Sequence, residues 1–500
     1  MDQPIDAIPE TTAAFVGRAL RGPLNTPVLV RHFGDFRRVF GDSWARSSLG
    51  PAVRQYFDHG GLRLYVVRVA NNAQGALVCL PARSSTLVLR AVDPGSTECI
   101  RAAVDYDGID VRDRRRFNLT LQRIERHTGR ILDQEIFRGL SAVDGDERFV
   151  ADKLANADIA RVEAPYPEHR PEATVDNSGY EAVWVGHSVD GTDGSELTDY
   201  DLIGSRTART GLFALDDVEH FDVLYLPAKG KGVDAGPAAV LAAELYCRQR
   251  GAMLIVDPTA AAGTPQAAVD RLGALGYASA NLVTYYPRLY DRSDAEPLPR
   301  AAGGAIAGLL CKLDRRHGPW QPLTTQGIAF DRSMSPARPL TAADVELLTR
   351  AGVNAITTGA GGRAGFAGDV TLARGTDPHR VFSQLAIRRT CQSIINSIDL
   401  ATRWAVFEPA DDRLDRRLTR QISAYFDDLY AIGALAAKGY VVECDAGVAR
   451  YENRIERGVT ILLVFHPAGS EQAISFTLHQ TVSGCRVAST AFAPIAQHCA

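Results

Sequence analysis

No stretch of this 500-residue chain approaches the ~20 consecutive apolar residues that a helix needs to cross a bilayer, so no helical membrane anchor is expected. The opening Met1-Asp2-Gln3-Pro4 lacks a basic stretch followed by an apolar run. It therefore does not read as a signal peptide, and assembly in the cytoplasm of the producing cell is expected. Cysteine occurs eight times but never as a CxxC pair, and no CxxC…HxxxH arrangement exists, which argues against a structural zinc site. Dispersed thiols such as Cys311, inside Leu309-Leu310-Cys311, read instead as small buried apolar groups in a reducing compartment. A surplus of one charge is missing too. The 55 basic and 59 acidic residues leave a net −4 at pH 7, with no global field to draw nucleic acid or an anionic membrane. Lysine is scarce beside arginine, which reads either as GC-rich coding or as a supply of guanidinium forks for pairing between many subunits.

Signatures of catalysis are equally sparse. Gly359-Ala360-Gly361-Gly362-Arg363-Ala364-Gly365 follows an expected strand at 353–358, but a phosphate loop must open a helix whose first amides hold the phosphate. A short strand over Asp369–Ala373 is expected next, and no GK[ST] supplies a lysine, so a flexible or interface loop is the better reading. Asp257 ends an expected strand, where ligands and nucleophiles occur in βαβ sheets, yet Asp257-Pro258 also suits a plain turn. The eleven histidines form no HExxH and no pair at helical spacing; His187-Ser188 with Asp190 reads as loop, and no GxSxG elbow exists. Asp411-Asp412 and Asp427-Asp428 read as helix surface, the first pair favouring a helix N-terminus. No catalytic set, metal or cofactor is expected.

What the chain does contain is the 46% hydrophobic content of a globular protein, over a length that suits two to four domains. Residues 11–70 alternate short apolar runs with helical spacing at Phe36, Val39 and Phe40 and at 51–57, a compact α/β opening. From about residue 84 the texture becomes alternating: 87–92, 100–106, 117–124 and 130–137 read as strands, with Gly95, Gly108 and Gly129 at turns and a helix near 148–155. Strand 223–226, helix 237–250 and strand 253–256 form a βαβ unit, which demands parallel pairing. Two amphipathic helices follow, 381–406 and 414–435; the second places Leu414, Leu418, Ile422, Phe426 and Leu429 on one side. Arg413, Arg417 and Arg420, with Arg416 beside them, lie opposite that side, either as a solvated face or as a docking stripe for an acidic partner. Strands at 441–444, 459–465 and 474–480 close the chain. The fold class is thus α/β (α+β), multidomain, with a mixed-sheet core and an inserted all-β domain. The boundaries are 1–82 (first part of the core, with a short N-terminal arm), 83–190 (inserted, outer, β-rich), 191–375 (α/β) and 376–500 (C-terminal part of the core).

Four ordered blocks resemble the tail sheath proteins of contractile phages, R-type bacteriocins and extracellular injection systems. The first runs from Ala14-Phe15-Val16-Gly17-Arg18-Ala19 through Gly22-Pro23-Leu24-Asn25-Thr26-Pro27 to Tyr65-Val66-Val67-Arg68-Val69. The second runs from Thr210-Gly211-Leu212 to Ile255-Val256-Asp257-Pro258. The third includes Tyr286-Pro287-Arg288, Asp314-Arg315-Arg316-His317-Gly318-Pro319-Trp320 and Gly352-Val353-Asn354-Ala355-Ile356. The fourth comprises Ile387-Arg388-Arg389-Thr390, Phe407-Glu408-Pro409 and Gly433-Ala434-Leu435.

The resemblance implies a structural subunit, not an enzyme, without cofactor or metal. Its expected partners are copies of itself in stacked hexameric rings, an inner tube protein, and baseplate and terminator proteins, with no nucleic acid or membrane. Contraction would be a rigid-body rearrangement without nucleotide hydrolysis. Linkage would be by strand addition between subunits. The candidates are the strands carrying Val459, Ile461, Leu463 and Phe465 and carrying Ile474, Phe476 and Leu478; Arg413, Arg417 and Arg420 are the candidate tube contact. The sequence departs from the family at both ends, lacking a Pro-Gly-Val-Tyr-like run before Phe15 and a Pro-Ala-Glu-Phe-like ending. That leaves open a minor or capping paralogue at the baseplate or terminator, or a non-contractile adaptor. An α/β enzyme acting on a small ligand is the reading from a different class.

Overall fold

The computed structural model describes residues 4–490 except 8, 127, 176–182, 231, 293–297, 360–361, 374–377, 437–438, 452–453 and 483. Its first strands are β1 (Ala13–Gly17), β2 (Val28–Val30) and β3 (Leu64–Arg68), with helices α1 (Phe33–Phe40) and α2 (Leu49–Asp58) between the last two. Ala13-Ala14-Phe15-Val16-Gly17 is apolar at every position because β1 is buried on both faces. Phe15 enters one apolar layer, with Tyr56, Tyr225 and Leu309, while Ala14 and Val16 enter the other, with Leu224, Leu254 and Tyr246.

The chain then leaves the core. Strands β4 (Leu77–Ala82) and β5 (Ser85–Ala91) form one small sheet with β9 (Ala160–Glu163). Strands β6 (Ile100–Asp105), β7 (Arg116–Ile124) and β8 (Ile131–Ser141) form a second with β10 (Val185–Gly186), and α3 (Val150–Lys153) lies between β8 and β9. Alternation along these strands gives each sheet one apolar face, and both faces feed a single cluster containing Val78, Leu89, Val104, Phe117, Leu119 and Ile159. This sandwich is fastened to the core by Arg68, 2% exposed. Its guanidinium donates to the carbonyls of Ala19 (3.1 Å) and Gly22, both on the loop between β1 and β2, and of Pro94 (2.7 Å), on the segment between β5 and β6. Burial pushes its pKa down to about 10, against the pull of Asp93 and Glu98.

The chain returns through α4 (Asp199–Ile203). It continues as β11 (Val223–Tyr225), α5 (Pro237–Arg250), β12 (Met253–Val256), α6 (Pro265–Leu275) and β13 (Leu282–Tyr286). A hairpin-like pair, β14 (Leu289–Asp291) and β15 (Met334–Pro336), brackets α7 (Gly303–His317). Then come α8 (Ala342–Arg350), β16 (Asn354–Thr358) and β17 (Ala364–Ala367). The resulting sheet has the order β17-β16-β13-β12-β11-β1-β3-β2. Its six inner strands are parallel and only the edge pairs β16–β17 and β2–β3 are antiparallel. The parallel pairing of β11 with β12 is the one the βαβ spacing demands. Two glycines let α7 lie directly on α2: a Cβ at Gly304 would stand 2.3 Å from the Ala52 carbonyl oxygen, and one at Gly308 2.3 Å from that of Tyr56. The strand expected over Asp369–Ala373 is displaced to β17, and Asp369 instead accepts from the Ala386 amide at 3.0 Å.

That amide opens α9 (Leu385–Thr402), so the continuous helix expected over 381–406 is three pieces: a 3-10 turn at Pro378–Ser383, α9, and a 3-10 turn at Arg403–Phe407. Helix α10 (Asp412–Ala431) is capped by Asp411, whose carboxylate accepts from the Arg413 and Leu414 amides at 3.0 and 2.9 Å. An antiparallel sheet closes the fold: β18 (Val441–Tyr451), β19 (Arg454–Phe465), β20 (Ile474–Thr481) and β21 (Gly484–Thr490), paired in that order. The last strand was not expected. The sequence-expected apolar positions of α10, Leu414, Leu418, Ile422, Phe426 and Leu429, are all buried against this sheet and α9.

Asp257, at the end of β12, is a tie rather than an open ligand. It accepts from the Tyr225 hydroxyl on β11 and from the Gly303 amide that opens α7, at 3.2 Å. Burial pushes its carboxyl up to about 6, with Tyr225 and Arg288 pulling the other way. A carboxyl held above its unfolded value keeps its proton longer in the folded chain. This group's contribution to stability therefore falls as pH rises from about 4 to 6, by up to about 3 kcal/mol. Asp257→Asn should flatten the stability profile in that window, as read by urea unfolding at pH 4 and 7 against the parent chain.

Candidate assembly surfaces

The C-terminal domain holds every residue marked as an assembly candidate. Val459, Ile461, Leu463 and Phe465 on β19, and Ile474, Phe476 and Leu478 on β20, all point into its core and are at most 2% exposed. Phe465 stacks on Phe476 with ring centres 5.8 Å apart, and on its other side meets Phe426 of α10 at 5.4 Å. The expectation that these two strands pair with a neighbour needs correcting. β19 is hydrogen-bonded to β18 and β20, and β20 to β19 and β21, so both edges of each are already taken within the chain. The strands with one described neighbour are β18 and β21, and the outward edges of the sheet belong to them. They are not equal. The Asp415 carboxylate of α10 accepts from the Ala446 amide at 2.9 Å and so occupies part of the β18 edge. On β21, Val487 is 40% exposed.

The arginine stripe is split by its surroundings. Arg417 lies over the Trp404 ring, 4.0 Å from its centre, and pairs with Glu408 at 3.8 Å. Arg416 turns back to the Asp412 carbonyl at 2.9 Å. Arg413 and Arg420 are exposed and make no ion pair with a described residue. Phe407, directly before Glu408, is 76% exposed, so an apolar side chain stands close to the stripe. Exposed cations and an exposed aromatic are docking chemistry, whereas Arg417 is committed to holding the turn before α10.

Sequence reasoning missed the joint behind this surface. Asp314 on α7 accepts from Arg389 on α9 and from the Thr11 hydroxyl just before β1; Asp314 and Arg389 are 4% and 6% exposed. Burial raises the Asp314 carboxyl, opposed first by Arg389. Beside it Arg388 donates to Asn281 at 2.7 Å and lies over the Phe382 ring. Arg389 and Asp314 both stand in the resembling blocks, but only the fold brings positions 75 apart together.

The Gly359 amide bonds Arg363 at 2.8 Å and that loop joins β16 to the antiparallel β17, so it opens no helix; positions 360–361 lie outside the described residues. His187 lies 3.4 Å from the Cys99 sulfur and 3.0 Å from Asp190, but burial pushes the thiol up rather than activating it. Among the described residues no group of three His, Cys, Asp or Glu could hold a metal, and no helix is long and apolar enough to cross a membrane.

Residues 377–481 match the family model of the phage tail sheath C-terminal domain. The whole fold resembles solved sheath proteins. A sheath tail protein of Listeria innocua superposes with TM-score 0.63 at 15% identity, over 94% of each chain. One of Desulfitobacterium hafniense gives 0.56 at 15% identity, over 96% of this chain and 99% of that one. The helical sheath of the anti-feeding prophage in its contracted state gives 0.52 at 16% identity, over 94% and 92%. No curated protein matches in sequence. Residues 377–481 are thereby defined as a phage tail sheath C-terminal domain, and the chain as a whole has the fold of solved sheath proteins. The family match lies in the domain built on α9, α10 and β18–β20, and the sheath fold extends over the rest of the chain. The proteins it resembles are structural rather than enzymatic.

Removing one partner of the buried pair leaves an uncompensated charge, which costs about 3–5 kcal/mol. Arg389→Met should therefore destabilise the chain by that amount in urea. Adding Asp314→Leu to it should restore most of the loss, and equal loss in both variants would show that the pair carries no such charge penalty.

Proposed function

We propose that this chain is the subunit of a contractile tail sheath, stacked as hexameric rings around an inner tube and linked by strand addition. The observation that carries the reading is the C-terminal sheet, whose outer strands keep an edge with no described strand beside it, in the domain that matches the sheath family model. An open edge offers main-chain donors and acceptors that a second copy satisfies by adding a strand. The β21 edge is the principal site, because Asp415 already occupies part of β18.

The inner tube docks on the arginine stripe, through the exposed Arg413 and Arg420, with the exposed Phe407 as the apolar contact. Its matching surface is acidic with an apolar contact, and the attraction weakens with salt. The work of contraction comes from repacking between subunits, without nucleotide hydrolysis. Baseplate and terminator proteins bind the two ends of the stack, and the particle is assembled in the bacterial cytoplasm. The inserted sandwich faces outward.

One observation favours a second reading, a capping or minor sheath ring at an end of the tail. The N-terminal segment packs on its own C-terminal domain through Ile5.

Negative-stain electron microscopy of the chain alone and with its tube protein separates these readings. Stacked cylinders are expected for the sheath, and single rings in both samples would assign the cap. Reversing Arg413 and Arg420 to Glu should abolish co-assembly with the tube and leave the circular dichroism melt unchanged; retained co-assembly would move the tube contact elsewhere. A proline scan along 485–488 should alternate. In an antiparallel edge strand every second amide points outward, so half the prolines should block polymerisation of a folded monomer and the other half should weaken the sheet itself. Polymerisation by every folded variant would remove β21 as the linking edge.

A further inference from the structure

The segment before β1 crosses three parts of the molecule within a few residues. Ile5 is 7% exposed and belongs to the C-terminal core with Trp320, Phe382 and Ile387, and Ala7 packs against the same cluster. Pro9 and Thr11 line a cavity of ≈ 20 Å³ between the domains, together with Asp222, Asp314, Arg389 and Gln392. The Thr11 hydroxyl donates to the Asp314 carboxylate, which also holds Arg389. The Thr12 amide donates to Asp222 at 2.8 Å, and β1 begins at the next residue.

We propose that Ile5, Ala7, Pro9, Thr11 and Thr12 form an intramolecular clasp that closes the C-terminal domain onto the sheet domain of the same chain, instead of an arm given to a neighbouring subunit. Three constraints point the same way. β1 is hydrogen-bonded on both sides within the chain, so the segment is tethered at Thr12. From that tether Ile5 reaches at most roughly 25 Å, even fully extended. Its own C-terminal core lies within that reach at the high effective concentration of a short tether, which any neighbour's core must outcompete. Thr11 and Arg389 share one carboxylate, so the clasp and the domain joint engage together. The inference concerns the fold of one chain and stands whether or not the chain polymerises.

The test uses the full chain with Ile5→benzoylphenylalanine, prepared in isotopically light and heavy forms, mixed while dissociated and then allowed to assemble. After illumination, cross-links from position 5 to peptides of 382–435 should join like isotopes only. A substantial share of light–heavy pairs would show an exchanged arm and overturn the clasp, as would the absence of cross-links to that core. Hydrogen exchange on an Ile5→Asp variant guards against misfolding of the first. Amides of α9 should exchange about tenfold faster while those of β11–β13 hold, and unchanged protection in α9 would also overturn the proposal.

Discussion

Strand β1 is the constraint from which the rest follows. Five residues, Ala13–Gly17, are hydrogen-bonded to β3 on one side and β11 on the other, and their side chains fill the layers on both faces. A parallel strand so placed has no exposed surface to absorb a misfit, so both layers must be complete before it is stable. Residues 18–63 return antiparallel cover through β2 and helical cover through α1 and α2, while β11 arrives only after the whole inserted sandwich. The sheet therefore cannot close until chain more than two hundred residues downstream has folded against its start. This ordering makes the N-terminus structural.

Much of this architecture was legible in the residues. The unit β11–α5–β12 was visible because two apolar runs flank a helix that starts at Pro237, and parallel pairing then follows from connection length alone. The buried side of α10 was visible as well, since Leu414, Leu418, Ile422, Phe426 and Leu429 recur at helical spacing. What stayed hidden was partnership. Alternation along β19 and β20 tells which face is buried, but it says nothing about which edge is free, and the two strands with the clearest pattern proved to be the inner ones. β21 was missed because Gly484-Cys485-Arg486-Val487-Ala488-Ser489-Thr490 has too little apolar contrast to announce a strand.

The candidate surface divides along the same line. Spacing placed four arginines together on α10, and the structure separates them by what lies beside each: Trp404 and Glu408 bind Arg417, the Asp412 carbonyl takes Arg416, and Arg413 and Arg420 face outward. Nothing in a run of sequence distinguishes a guanidinium that holds a turn from one that is free to meet a partner. The joint of Thr11, Asp314 and Arg389 lay deeper still, because Thr11 and Asp314 are 303 positions apart, Asp314 and Arg389 are 75 apart, and no single run of sequence places them together. Glycines 304 and 308 gave a fainter signal: four apart on α7, they mark a helix face bare enough for another backbone to rest on it.

The inserted sandwich hangs from the core by a narrow neck. Asn71 bridges Ser195, Gln74 bridges Thr192 and Leu77, at the start of β4, bridges Val189, so the outgoing and returning segments run side by side as an antiparallel ladder at the base of the sandwich. Two chain ends held together in this way look the same to the core whatever is mounted between them, because the loop is already closed at its base. A longer, shorter or differently folded module could occupy that position without disturbing the order of the central sheet. The neck thus separates two kinds of heritable change: the central sheet stays fixed by packing while the sandwich is free to diversify.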